Sequence, residues 1–150
     1  MKKQIDKNVT EMMASFEQVC RSRGLKFTHQ RQMIFRAMVE QTDHPTTEEV
    51  YNRVRKDLST ISLDTVYRTI ATFEEYGLVK RVLHLDNKTR FDININVHHH
   101  LVCTQCNKIE DFYWPDFDRM QLPREISGWG EVDMKQVVIN GLCSTCKNNN

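Results

Sequence analysis

Two Cys-x-x-Cys pairs, Cys103/Cys106 and Cys143/Cys146, lie near the end of this 150-residue chain, separated by 36 residues. Each pair can present two thiolates, and two pairs together complete a tetrahedral zinc site of four sulfurs with no open position. Zinc with a filled shell has nowhere to bind substrate, so such a site is structural. A redox role for one lone pair is the weaker alternative, because the pairs are matched and no thioredoxin-like βαβ pattern surrounds them. The second unit they belong to has some sixty residues, about the size at which a core alone is marginal, so a metal staple or subunit pairing is expected.

The redox compartment supports zinc. The N-terminal Met1-Lys2-Lys3-Gln4-Ile5-Asp6-Lys7 has no apolar core and no small-residue cleavage site, and no apolar run approaches the roughly 18 residues that span a bilayer. A soluble, cytoplasmic, reducing setting without a membrane partner is therefore expected, and paired cysteines there favour metal over disulfides. The formal net charge of +1 excludes a chain held on DNA by bulk charge, but not a basic patch on one element. Residues 1–85 carry 14 Lys/Arg against 11 Asp/Glu, and residues 86–150 carry 7 against 9. The asymmetry leans towards an N-terminal partner of negative charge.

The N-terminal half reads as compact helices. Val9, Met12, Met13, Phe16, Val19 and Cys20 form one apolar stripe over residues 9–20, with Cys20 a buried free thiol and Gly24 a stop. Thr28 caps a second helix with Met33, Ile34, Ala37 and Met38 on its core face. Pro45 breaks the chain, and Thr46 with Glu49 makes a capping box before Val50, Tyr51 and Val54. Ser62 caps the next helix, whose buried face is Leu63, Val66, Ile70 and Phe73. Its opposite side carries Asp64, Arg68, Thr72 and Glu75, with Thr65 and Tyr67 on the flanks, and Gly77 ends it. A short exposed helix of this kind, third in a compact set, suits the major groove, although an ordinary solvated face has the same composition. Two short runs, 78–83 and 89–92, joined through Asp86-Asn87, predict strands that complete a winged helix, with Lys80, Arg81, Lys88 and Arg90 able to meet phosphate.

A second metal site is written into residues 92–111. On an extended strand His98 and His100 point to one side and His99 to the other. Asp92 and Asp111 flank them, and His44 can reach from the first domain, although alone it reads as an exposed loop histidine. Three imidazoles and two carboxylates make a five-coordinate site suited to Fe²⁺ or Mn²⁺. A polar histidine strand at a domain boundary is the alternative. Downstream, a strand is expected over Ile109–Tyr113, a short helix from Asp116 to about Ile126 and a strand over Val132–Asn140.

Taken in order, Thr28-His29-Gln30-Arg31, His44-Pro45-Thr46, Thr65-Val66-Tyr67-Arg68-Thr69-Ile70, Tyr76-Gly77-Leu78-Val79, Arg90-Phe91-Asp92, His98 to Cys103 and the final Cys-x-x-Cys resemble the ferric uptake regulator superfamily. Within it, they are most similar to the peroxide-sensing branch. The resemblance covers about residues 10–147. It implies an α+β chain with an N-terminal winged helix-turn-helix domain (1–90) and a C-terminal α/β dimerisation domain (91–150). It also implies a homodimeric, metal-dependent repressor of transcription and no enzyme, acting on double-stranded DNA at an A/T-rich inverted repeat. The ligand sets it implies are Cys103, Cys106, Cys143 and Cys146 for structural Zn²⁺, and His44, Asp92, His98, His100 and Asp111 for regulatory Fe²⁺ or Mn²⁺. The DNA-binding set is Thr65, Tyr67, Arg68, Thr72 and Arg31. Peroxide sensing by such a protein oxidises a ligating histidine, here His44 or His98. An iron-responsive repressor of iron-uptake genes is the alternative. Lys135 stands where iron-uptake members often carry a further histidine, so no third metal site is expected. A non-haem iron enzyme built on two histidines and a carboxylate is the rival from another class, with no substrate pocket or base apparent.

Overall fold

The computed structural model describes residues 2–41, 44–82, 88–126 and 128–149, with residues 2–8 described by backbone alone. The chain forms two compact units, Met1–Ile95 and Asn96–Asn150. Among the described residues no helix is long and apolar enough to cross a membrane.

Unit 1 is a winged helix. Helices α1 (Lys2–Ser22), α2 (His29–Glu40), α3 (Thr47–Val54) and α4 (Leu63–Glu75) precede a hairpin of β1 (Lys80–Val82) and β2 (Arg90–Asp92). The expected turn at Asp86-Asn87, with Leu83 before it, lies outside the described residues. Helix α1 starts earlier than its apolar stripe, because residues 2–8 hold no Gly or Pro to stop it. Gly24 and Gly77 take left-handed φ values of 69° and 65° after α1 and α4, a conformation that a side chain would strain. Phe16 stacks on Phe35 with centroids 4.1 Å apart and meets Phe73 edge-on, which joins α1, α2 and α4 in one core. Leu63, expected in that core, is exposed in the first turn of α4, and Thr69 is buried beside Val66, Ile70 and Phe73 instead.

The start of α3 carries a complete capping box. Thr46 Oγ1 accepts from the Glu49 N–H at 3.2 Å, and Glu49 Oε2 accepts from the Thr46 N–H at 2.7 Å. In an eight-residue helix these two bonds satisfy half of the four free N–H groups. Replacing Thr46 with Ala should cost about 1 kcal/mol of unit 1 stability, read as a lower urea midpoint with unchanged slope.

Unit 2 is built on a three-stranded sheet in the order β4 (Ile109–Phe112), β3 (His99–Cys103), β5 (Val138–Gly141). Strand β4 runs antiparallel and β5 parallel to β3. The expected helix from Asp116 to Ile126 is cut short. Helix α5 spans Pro115–Arg119, Met120 turns extended (φ −62°, ψ 136°), and only a 3-10 turn follows at Arg124–Ile126. Pro123 explains the break, since it has no N–H and forces Leu122 out of the helical region. The strand expected from Val132 begins only at Val138. Upstream, the Val137 N–H goes to the His99 side chain at 3.2 Å, and β3 itself begins at His99, so earlier residues have no ladder to join. Helix α6 (Ser144–Asn148) closes the unit.

Candidate metal centres and nucleic-acid face

The four paired cysteines converge in unit 2, each offering a sulfur within 4.8 Å of the others. Strand β3 ends at Cys103, and the turn after it is closed by the Asn107 N–H donating to the Cys103 carbonyl at 2.9 Å. Asn107 takes a left-handed φ of 59° there. Cys143 caps α6 and accepts from the Cys146 N–H at 3.5 Å, while its own N–H donates to Cys103 Sγ at 3.3 Å. Cys106 and Cys143 sulfurs lie 3.8 Å apart. Tetrahedral zinc with bonds of about 2.3 Å holds its sulfurs about 3.8 Å apart. Backbone N–H donors from Cys143, Cys106 and Gln105 bring the Cys103 thiol down to about 6, so it is a thiolate at neutral pH. Neighbouring sulfurs push Cys146 up to about 12. Four thiolates cannot coexist this closely without a cation, and a divalent ion supplies the compensating charge. The fifth cysteine, Cys20, is buried in the unit 1 core, and burial raises its pKa.

Unit 2 also gathers nitrogen and oxygen ligands. His100 lies directly opposite Asp111 across the β3–β4 ladder, and His98 stands two residues before His100 on the same face. The His98 and His100 Nε2 atoms are 3.1 Å apart, and Asp111 Oδ1 is 3.7 and 3.6 Å from them. Both imidazoles are buried, a position where a carboxylate and two ring nitrogens meet only if a proton or a cation sits among them. His99 points the other way, fully buried between Phe112 and Phe117, with Nε2 3.3 Å from Asp118.

Unit 1 holds a smaller set of the same chemistry. The Phe91 N–H donates to the Pro45 carbonyl at 3.0 Å, and Thr46 bridges to Arg90, so β2 lies alongside the residues after His44. That pairing brings His44 Nε2 within 3.6 Å of Asp92 Oδ2, both buried. Arg90 Nη1 donates to the His44 carbonyl at 3.3 Å. His44 takes φ 51°, a left-handed conformation whose strain, of order 1 kcal/mol or more, is characteristic of functional positions. Imidazole and carboxylate donors in both sets suit Fe²⁺ or Mn²⁺ better than a thiolate-seeking ion.

Helix α4 displays the expected DNA-facing residues unequally. Tyr67 is 47% exposed and donates its hydroxyl to Glu48 Oε1 at 2.7 Å, a bond that raises the phenol pKa and lowers that of Glu48. Arg68 is exposed and paired with Asp64 at 2.9 Å. Thr65 is half-buried at the capped start of the helix, and the Thr72 hydroxyl donates to the Arg68 carbonyl at 2.9 Å. Arg31, half-buried on α2, donates to the Lys26 carbonyl at 2.7 Å. A cleft of about 270 Å³ beside Tyr67 is lined by Arg81 and Lys88 from the hairpin.

Sequence reasoning missed one residue at the second centre and one on the opposite face of its strand. Gln136 places its side-chain nitrogen 3.1 Å from the His98 carbonyl oxygen and 3.3 Å from His100 Nδ1. Asp118 partners His99. Neither carries a local signal, since Gln136 and Asp118 meet histidines far from them in sequence.

The Ferric uptake regulator family profile matches residues 22–138. The peroxide-responsive repressor PerR of Staphylococcus epidermidis is 34% identical over 144 residues, covering 95% of this chain and 93% of that protein. The Campylobacter jejuni peroxide stress regulator superposes with a TM-score of 0.65 at 30% identity, covering 86% of this chain and 97% of that one. The ferric uptake regulator from Francisella tularensis with iron superposes with a TM-score of 0.69 at 26% identity, covering 83% and 96%.

Proposed function

Because this chain belongs to the ferric uptake regulator family, we propose that it is a homodimeric, metal-dependent transcriptional repressor that senses hydrogen peroxide. The observation that carries this reading is the division of one ligand chemistry between the units: His44 with Asp92 in the first, His98, His100 and Asp111 in the second. We infer that all five hold one Fe²⁺ or Mn²⁺ ion, and that the four cysteines hold structural Zn²⁺. Shared ligands make the relative orientation of the units depend on the ion, which is a population shift rather than a new DNA contact.

Unit 1 is the DNA-binding half of this reading, with Arg68 and Tyr67 at bases or phosphates and Thr65, Thr72 and Arg31 beside them. Unit 2 is the pairing half. It leaves Trp129 78% exposed, with Met120, Met134, Ile139 and Leu142 also exposed, and β5 has no strand on its outer edge among the described residues. Exposed apolar area and an open edge of this kind are what a second copy would cover. A dimer presents its two recognition helices to successive major grooves when they stand about 34 Å apart, so the hinge sets affinity.

Iron(II) held by these residues would supply the redox chemistry that activates hydrogen peroxide beside them. In this reading His44 or His98 would be the ligand oxidised, its ring C–H becoming C–OH with one peroxide oxygen while the other leaves as water. The oxidised ring would be a poorer ligand, and the restraint between the units would be lost.

The deciding experiment is a binding titration on an A/T-rich inverted-repeat duplex selected with Mn²⁺-loaded protein. It is run in Mn²⁺ and in anaerobic Fe²⁺, each with and without peroxide, and followed by peptide mass spectrometry. Binding should be lost only with Fe²⁺ plus peroxide, with one oxygen added on the His44 or His98 peptide. Oxygen on Cys20 alone would refute histidine oxidation. Release by iron removal, with no response to peroxide, would make the chain an iron-responsive repressor of the same family.

A further inference from the structure

We propose that Gln136 is a positioning residue that fixes the tautomer of His100 and so holds down the affinity of the nitrogen–oxygen metal centre. This rests on the reading of His98 and His100 as ligands. His98 Nδ1 lies 2.8 Å from the Asn96 carbonyl oxygen, which can only accept, so the neutral His98 ring carries its proton on Nδ1 and leaves Nε2 bare. Gln136 Nε2 lies 3.1 Å from the His98 carbonyl oxygen. That carbonyl sets the orientation of the amide, because the reversed amide would bring two oxygens together with no proton between them.

The same amide nitrogen is 3.3 Å from His100 Nδ1. An amide nitrogen only donates, so His100 Nδ1 accepts and the neutral ring carries its proton on Nε2. The nitrogen that carries it lies 3.1 Å from the unprotonated Nε2 of His98 and 3.6 Å from Asp111 Oδ1. The result is a one-way chain of donors from Gln136 to His100 to His98 to Asn96, in which every donor meets an acceptor.

For metal binding, the two histidines are in opposite states. A ligating histidine ordinarily donates its far ring N–H to a carbonyl or carboxylate, as His98 does to Asn96. His100 instead has its proton on the nitrogen that faces the ligand cluster, and Gln136 keeps it there. Coordination through Nε2 requires that proton to move to Nδ1, with no net change in protonation. The Gln136 N–H and the new Nδ1–H would then be two donors face to face. The amide must turn or withdraw, giving up its bond to the His98 carbonyl. Gln136 thus stabilises the metal-free arrangement, and occupancy becomes more easily reversed.

The test uses the full chain with zinc loaded and the second centre empty. Nitrogen-15 NMR of the ring nitrogens should show His98 protonated at Nδ1 and His100 at Nε2. In Gln136→Glu a carboxylate oxygen can accept from Nδ1–H. The His100 tautomer should then reverse and Mn²⁺ should bind about ten-fold tighter. Gln136→Leu adds no charge and removes the donor, so its bias towards Nε2–H should vanish and Mn²⁺ should bind a few-fold tighter. Weaker Mn²⁺ binding in both variants, with an unchanged His100 tautomer, is what a merely structural role gives and would overturn the proposal. A wild-type His100 already protonated at Nδ1 would also overturn it. Should Mn²⁺ fail to broaden the His98 and His100 signals in the wild type, the ligand reading fails instead, and the tautomer still decides the role of Gln136.

Discussion

Replacing Cys143 with serine should leave unit 1 folded and unfold unit 2. The expectation follows from how little else unit 2 buries. Its buried apolar side chains among the described residues are Val102, Cys103, Ile109 and Cys146, and two of those four are thiols of the proposed zinc site. Sheet β4-β3-β5 meets the cysteines at the C-terminal end of its parallel pair, with Cys103 opposite Gly141 and Cys143 donating its N–H to Cys103 Sγ. Losing one thiolate opens the tetrahedral site and removes most of a binding energy that runs to about 10–16 kcal/mol in small zinc domains. That exceeds the whole stability of an ordinary domain of about this size. Unit 1 has its own core around Phe16, Phe35 and Phe73 and no cysteine ligand, so it should be untouched. Amide exchange on the full-length variant reads both halves at once. Protection should vanish from β3, β4 and β5 and persist in α1, α2 and α4, and size-exclusion should report loss of the dimer. A protected sheet in a variant shown to contain no zinc would mean that the four sulfurs are not what holds unit 2 together.

What the sequence made legible was short-range. The caps at Thr28, Thr46 and Ser62 and the glycine stops at Gly24 and Gly77 depend on atoms a few residues apart, and they stand where their residue types place them. The opposite facing of His98/His100 and His99 follows from the strand period alone. Residues 120–126 and 128–137 were not legible. Their path depends on Pro123, on the parallel register of β5 against β3, and on the Val137 N–H being taken by a side chain 38 residues away. Leu63 failed for a different reason: periodicity assigns it to the apolar face without saying how far the core extends along α4. His44 and Asp92 are neighbours through the pairing of β2 beside Pro45 and Thr46, a long-range fact that resemblance could imply but periodicity could not.

His44→Ala and His98→Ala should each remove metal-dependent DNA binding, to the same extent, although the residues belong to different units. The proposed ion acts by favouring one arrangement of the units. Moving such an equilibrium from 1:99 to 99:1 needs a preference of about 10⁴-fold, so losing one ligand of five can collapse the response. With Mn²⁺ at a level that saturates the wild type, each variant should bind the inverted-repeat duplex at least about 100-fold more weakly than wild type and no better than metal-free wild type. Zinc content, far-UV circular dichroism and the dimer should be unchanged, because neither residue touches the cysteine cluster. The double variant should be no worse than either single one, since the two side chains would serve one ion and their losses cannot add. The rival arrangement, with the ion held by His98, His100 and Asp111 alone, separates cleanly. There His98→Ala abolishes the response while His44→Ala leaves it intact, and the restraint between the units would have to come from somewhere other than shared coordination.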